Sequence, residues 1–255
     1  SAVDNALWDL KGRLFGQPVL QLLGGAAHEA IAVYGSGGFT SYPVERLQRQ
    51  LGGWAEQGFT RVKMKVGREP MNDVARVRAA REAIGHGVAL FVDANGGYSR
   101  KQALMLAERF AACHVSWFEE PVHGHDTDGM RLLRDRAPAG MDITAGEYGY
   151  GLSDFLRLAE ARAVDVLQAD ATRCGGLTGF LRAAALAQAF QLPLSSHCAP
   201  ALHVHACCAV PNAVHLEWFH NHQRIERLLF DGAPQPVGGL LAPDLSRPGL
   251  GLDVK

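Results

Sequence analysis

The sequence predicts an α/β fold in which parallel strands close into a barrel, and three observations carry that expectation. Short apolar runs alternate with helix-period segments along most of the chain, as in repeated strand-helix-strand units. Eight runs with seven intervening helices suit a closed barrel better than an open doubly wound sheet, and no GxGxxG follows the first run. At 255 residues the chain has the usual size for one barrel of this kind.

Taken in order, Ala2 to Leu23 reads as a helix, with Ala6, Leu7, Leu10 and Leu14 on one stripe and Gly24-Gly25 as its stop. Strands are expected at roughly 31–36, 61–66, 89–95, 115–120, 142–147, 164–170, 192–197 and 213–219. Helices are expected at 43–57, 70–84, 99–112, 127–136, 153–162, 176–190 and, less regularly, 200–209. The chain thus divides into a leading helix (1–25), a barrel (26–219) and a Gly/Pro-rich tail (220–255). The tail is expected to be extended and packed on the barrel or on a capping domain.

Composition excludes several classes. Hydrophobic residues at 47% and charged residues at 20% describe an ordinary globular protein rather than a disordered one. A formal charge of -1 supplies no basic field for nucleic acid or an anionic membrane. No apolar run approaches a membrane span, and no secretory signal precedes the first helix. Of the five cysteines none forms a CxxC pair, and Cys207 and Cys208 are adjacent. That pattern points to buried thiols in a cytoplasmic protein.

The chemistry is concentrated between Phe91 and Glu147. The runs FVDAN (91–95), VSWFEEP (115–121) and DITAGE (142–147) carry Asp93, Glu119 and Glu147 at their ends, 26 and 28 residues apart. Acids ending successive parallel strands converge at the barrel mouth, where such folds keep their active sites. Three carboxylates that close stay ionised only around a cation, and all-oxygen ligation points to a hard ion such as Mg2+.

Strand alternation places the rest. In RVKMKVG, Lys63 and Lys65 share the inner face, where neighbouring ammonium groups disfavour each other's charge and make one a usable base. Asn95 shares a face with Asp93; it is either a substrate contact or a turn residue before Gly96-Gly97. Trp117 and Glu119 share the inner face, leaving Glu120 behind the ligands or in a surface ion pair. Asp170 ends VDVLQAD and His197 ends LPLSSH on the next strand, a pairing that fixes the imidazole tautomer and raises its basicity. Glu217, in VHLEWF, is either a protonated hydrogen-bond donor or an ion-pair partner. His203 and His205 diverge on a helix, His220 and His222 fall in an expected loop, and GGLTG (175–179) opens a helix. No GxSxG elbow is present.

With these residues in place, the chain resembles the enolase superfamily, and within it the mandelate racemase-like group. The likeness runs in order through ALWDLKGRLFGQPVLQLLGG, VKMKVG, VDAN, WFEEP, ITAGE, the D-x-x-R-x-G-G of Asp170 to Gly176, SSH and HLEW. The resemblance implies a (β/α)7β TIM-like barrel with Mg2+, or Mn2+ in its place, on Asp93, Glu119 and Glu147. It implies Lys65 as one base, Lys63 on the substrate carboxylate, and His197, held by Asp170, as the second acid/base. Glu217 would hydrogen-bond the developing enediolate, Ser36 would bind the substrate carboxylate, and Arg173 would lie behind the ligands. The group's N-terminal α+β capping domain is expected ahead of the first helix, and we expect this chain to be the barrel without it. The expected activity is a lyase, dehydrating an acid sugar to a 2-keto-3-deoxy acid; racemisation of a 2-hydroxy acid is the alternative. A Schiff-base aldolase on Lys63 or Lys65 would leave the three acids without a purpose, and a non-enzymatic barrel would leave the whole set without one. The expected partner is a small carboxylate substrate, with homo-oligomerisation compatible with the resemblance.

Overall fold

A computed structural model describes all 255 residues. Helices α1 (Ala2–Phe15) and α2 (Val19–Leu22) lead into β1 (Ile31–Gly37), α3 (Val44–Glu56), β2 (Arg61–Lys65) and α4 (Pro70–Ile84). There follow β3 (Ala89–Asp93), α5 (Arg100–Ala111), β4 (Val115–Glu119), α6 (Thr127–Arg136), β5 (Asp142–Ala145) and α7 (Leu152–Glu160). Next come β6 (Val166–Ala169), α8 (Gly176–Ala189), β7 (Leu194–Ser196), α9 (Pro200–Ala209) and β8 (Ala213–Phe219). The chain ends with α10 (His220–Leu229) and three short strands, β9 (Phe230–Asp231), β10 (Leu240–Leu241) and β11 (Asp253–Val254). Strands β1 to β8 are hydrogen-bonded in chain order and β8 returns to β1, so the expected parallel barrel closes. Two compact units compose the chain: Tyr34–Ala145 with Arg157–Val166, and Ser1–Val33 with Gly146–Leu156 and Leu167–Lys255.

In the unit built on Tyr34–Ala145, one buried cluster joins Tyr34, Phe91, Trp117 and Val166. The Phe91 and Trp117 rings stack with centroids 5.0 Å apart, and Tyr34 lies 5.5 Å from Phe91. Side chains on a strand alternate, so the residues two positions on, Ser36, Asp93 and Glu119, share the face of Tyr34, Phe91 and Trp117. An aromatic layer therefore supports a polar one, and both are buried.

The other unit contains the main departures from expectation. The apolar stripe of α1 does not face a core: Leu7, Leu10 and Leu14 are 58%, 50% and 75% exposed. The helix docks instead through polar groups. Asp4 accepts hydrogen bonds from the Thr178 amide (3.0 Å) and hydroxyl (2.6 Å), Asn5 accepts from Leu177 N (2.9 Å), and Trp8 Nε1 donates to Thr178 Oγ1 (2.9 Å). These contacts satisfy free N–H groups in the first turn of α8, where a carboxylate is also favoured by the helix dipole. Nor does the helix run on to Leu23. Gly16 turns left-handed at φ 61° and Pro18 has no N–H to donate, so α1 stops at Phe15 and α2 is a separate turn.

Gly12, the one buried residue of α1, is crossed by the tail; a Cβ there would lie 2.6 Å from Gly249 Cα. Around that crossing Val19 N donates to Gly249 O (2.8 Å), Gly249 N to Gln17 O (2.9 Å) and Leu250 N to Asp9 Oδ1 (2.7 Å). Alanine has the better helix propensity, yet Gly12→Ala is expected to destabilise the fold by about 1–3 kcal/mol through overpacking. A lowered denaturant midpoint measures it; an unchanged midpoint would mean the crossing is loose.

The tail is extended only beyond α10. Residues 220–229 are helical, which moves His220 and His222 out of the expected loop. Periodicity missed this helix because it is held by polar groups, while Ile225, Leu228 and Leu229 stay exposed. His222 Nδ1 accepts from Ala199 N (3.0 Å) and Glu226 Oε1 accepts from Ala201 N (3.2 Å), at the start of α9. Farther on, β10 pairs antiparallel with β1, and β11 with β9.

Burial pushes the Glu226 carboxyl up to about 7, against an ordinary value of 4.5. A carboxyl raised in the fold contributes its full stability below the unfolded value and loses it as pH rises through the folded one. Glu226→Gln keeps the acceptor without the charge. It should be more stable than wild type at about pH 8, by up to about 3 kcal/mol, with no gain at about pH 4. Equal melting shifts at both pH values would refute this account.

Candidate metal and acid–base site

In the Tyr34–Ala145 unit, register aligns the polar residues. Ser36 lies opposite Lys63, Lys65 opposite Asp93, and Asp93 opposite Glu119. Lys63 is fully buried and its Nζ donates to both oxygens of Glu119, at 2.8 and 2.6 Å. It also lies 3.8 Å from Asp93 Oδ2 and 5.1 Å from the Tyr34 ring centre. Lys65 Nζ donates to Asp93 Oδ2 and, at 3.0 Å, to Asn95 Oδ1. The two ammonium groups are therefore not left to repel each other, since each is answered by a carboxylate. Burying a charge is tolerable only when it is paired in this way. Burial acts to raise the Asp93 carboxyl, but Lys65 and then Lys63 outweigh it and hold the group below its ordinary value.

Other predicted residues of this unit are resolved more finely than alternation allowed. Asn95 is exposed and left-handed (φ 44°), its backbone N–H donating to Asp93 Oδ1 at 2.8 Å and its side-chain oxygen accepting from Lys65. Glu120 is buried, and the surface ion-pair alternative is discarded. The chain turns left-handed there (φ 38°), with Glu120 N donating to Thr144 O (2.9 Å). Ser36 is buried with no hydrogen-bond partner for its hydroxyl.

The second unit brings together Glu147, Asp170, Arg173, His197 and Glu217. Gly146, at φ 135°, delivers Glu147; a Cβ at that position would meet Gln168 O at 2.1 Å, so no other residue fits. Glu147 is buried, and Arg173 Nη1 donates to its backbone oxygen (3.0 Å) and lies 3.6 Å from Oε1. Glu147 Oε2 comes within 3.4 Å of His197 Nε2 but makes no hydrogen bond. On neighbouring strands β6 and β7, Ala169 pairs with Ser196, which sets Asp170 beside His197. His197 Nδ1 and Asp170 Oδ2 are 2.8 Å apart, a contact that keeps the proton on Nδ1 and the lone pair on Nε2. Burial opposes an imidazolium, but the Asp170 hydrogen bond and the charges of Glu217 and Glu147 outweigh it and raise the His197 pKa. Burial likewise works against the Asp170 carboxylate, which His197 and His203 nonetheless hold down at about 2. Glu217 Oε2 accepts from Cys198 N (2.7 Å) and lies 3.9 Å from His197 Nε2.

His203 braces this region: Nε2 accepts from Ala171 N (2.8 Å) and Nδ1 donates to Cys198 O (2.9 Å). His205 serves the backbone at Leu20 and Leu250 instead, so the two histidines diverge as expected. Three contacts escaped the sequence reading. Trp117 Nε1 donates to Glu119 Oε2 (3.0 Å), a contact that the shared face of residues two apart could have signalled. Tyr34 lies beneath Lys63, legible in the same way. Cys198 Sγ lies 3.3 Å from His197 Nε2, which no periodicity signals.

Buried acids and lysines at successive strand ends, with an Asp-braced histidine, define a parallel barrel furnished for acid–base chemistry. The chain belongs to the enolase superfamily, in its mandelate racemase-like group: residues 46–255 match the family described as Enolase C-terminal domain-like. Residues 1–24 match the Mandelate racemase / muconate lactonizing enzyme, N-terminal domain. A mandelate racemase/muconate lactonizing enzyme-like protein from Rubrobacter xylanophilus superposes with TM-score 0.96 at 60% identity, covering 100% of this chain and 70% of that one. L-Talarate dehydratase from Polaromonas sp. JS666, complexed with Mg and L-glucarate, gives TM-score 0.90 at 34% identity, covering 100% and 70%. The 3,6-anhydro-alpha-L-galactonate cycloisomerase of Streptomyces coelicolor is 37% identical over 85% of this chain and 60% of its own length. Similar proteins thus include acid-sugar dehydratases, cycloisomerases and racemases. The chain spans only 50% and 60% of two such curated relatives.

Proposed function

We propose that the protein abstracts the proton α to a carboxylate with the help of Mg2+ and dehydrates an acid sugar to a 2-keto-3-deoxy acid. In this reading Asp93 and Glu119 from one unit and Glu147 from the other, each a buried carboxylate, would give one oxygen apiece to the ion. The observation that carries this reading is Glu147 Oε2, a buried carboxylate oxygen with no hydrogen bond. Such an atom is costly to leave unmatched, and a hard cation matches it. Magnesium would supply positive charge where a second negative charge gathers on the substrate carboxylate.

The chain's own groups do the rest. Lys63 donates toward the substrate carboxylate, with Ser36 beside it in register. Lys65 takes the α-proton as a neutral amine; Asp93 favours its ammonium form, and Asp93 engaged as a ligand releases that hold. Glu217 hydrogen-bonds the enediolate, and His197 Nε2, its ring set by Asp170, protonates the departing β-hydroxyl. Racemisation of a 2-hydroxy acid is the second reading, favoured by the likeness (33% identity) to a racemase from Streptomyces coelicolor with bound magnesium. The complete protein, offered mono- and diacid sugars with Mg2+, should form a 2-keto-3-deoxy acid, and EDTA should stop it. Solvent deuterium entering the α-carbon without loss of water would select racemisation. Neither product from any such acid would end both readings.

A further inference from the structure

We propose that His197, Cys198 and Glu217 form a second metal site, one that takes a borderline or soft divalent ion such as Zn2+ rather than Mg2+. Its effect on turnover rests on the acid–base role proposed for His197; its existence does not.

His197 Nε2, Cys198 Sγ and a Glu217 carboxylate oxygen all lie within 4.8 Å of one another. Nε2 is 3.3 Å from Sγ and 3.9 Å from Glu217 Oε2. Ligands bound to tetrahedral zinc at about 2.0–2.3 Å stand roughly 3.3–3.8 Å from each other. The Nε2–Sγ pair already stands at that spacing, the Nε2–Oε2 pair must close by about half an ångström, and the sulfur and carboxylate oxygen start within 4.8 Å of each other, with water as the fourth ligand.

Each ligand is already held. Asp170 grips the far nitrogen of His197 at 2.8 Å, the carboxylate–histidine support common behind zinc ligands, and leaves the Nε2 lone pair available. Cys198 N–H fixes Glu217 at 2.7 Å. The cysteine sits on two consecutive left-handed residues, Cys198 (φ 53°) and Ala199 (φ 39°). His203 Nδ1 donates to Cys198 O, and His222 Nδ1 accepts from Ala199 N, which pins that turn.

Donor chemistry separates this site from the carboxylate trio. One thiolate and one imidazole select zinc-like ions, whereas magnesium prefers oxygen ligands. On binding, the thiol proton passes to solvent, and Cys198 thiolate with Glu217 carboxylate neutralises the ion. An ion on Nε2 occupies the lone pair that His197 needs for proton transfer, so Zn2+ inhibits while Mg2+ activates.

Cadmium or cobalt reports such a site directly, through thiolate-to-metal charge-transfer absorption of the complete protein in saturating Mg2+. One equivalent should produce the band in wild type. Cys198→Ser should abolish it, and Glu217→Gln should weaken binding by at least about tenfold. Asp93→Asn, which disables the oxygen site, should keep the band, so the result is independent of any turnover. A band that survives in Cys198→Ser, that Mg2+ displaces, or that never appears overturns the proposal. X-ray absorption of the wild-type zinc form must find sulfur and imidazole together, which tests the site even if a variant fails to fold.

Discussion

His197→Asn should lower dehydration by about 10²–10⁴-fold while still exchanging the substrate α-proton with solvent deuterium. Lys65→Ala should lose both. The separation follows from two groups held by two different carboxylates: Lys65 by Asp93, and His197 by Asp170. Asparagine cannot deliver a proton to a departing hydroxyl, but Lys65 and the groups that stabilise the enediolate remain. Proton NMR in deuterium oxide reads exchange, and 2-keto acid formation reads dehydration. Should exchange vanish with His197 and persist without Lys65, the two roles would have to be swapped. Wild-type turnover in either variant would remove the residue it replaces from the mechanism.

Glu119→Gln should destabilise the protein by about 3–5 kcal/mol and abolish any thermal stabilisation by Mg2+. Lys63 is fully buried, and Glu119 accepts from it with both oxygens. Neutralising one partner of a buried ion pair strands the other charge away from water. Lys63→Met combined with Glu119→Gln should recover part of that loss, because the stranded ammonium is gone. In wild type, Mg2+ at about one hundred times its dissociation constant should add about 2.7 kcal/mol, reversed by EDTA. Denaturant unfolding with and without Mg2+ measures both effects, and needs no substrate. A Mg2+-dependent gain that survives in Glu119→Gln would exclude this carboxylate as a ligand.

The legible part of the molecule is the part governed by strand alternation. Lys63, Asp93 and Glu119 point inward because residues two apart share a face, and their register across β2, β3 and β4 is what aligns them. Asp170 and His197 pair because consecutive strands in such a barrel are neighbours, and β6 and β7 are hydrogen-bonded. Helix docking was not legible in the same way. The Leu7–Leu10–Leu14 stripe follows a helical period that normally marks a buried face, yet Asp4, Asn5 and Trp8 make the contacts. Similarly, α10 was lost in the tail because His222 and Glu226, not apolar residues, attach it.

By itself, the order of apolar runs determined a parallel barrel, and the period of two determined which polar residues enter it. Both depend only on local backbone geometry, which each residue carries with it. Tertiary structure alone decided that Glu119 answers Lys63, that Gly12 must yield to Gly249, and that Cys198 meets the imidazole of His197. Those facts depend on distances between segments remote in sequence or on a left-handed turn, and neither leaves a periodic trace in the order of residues.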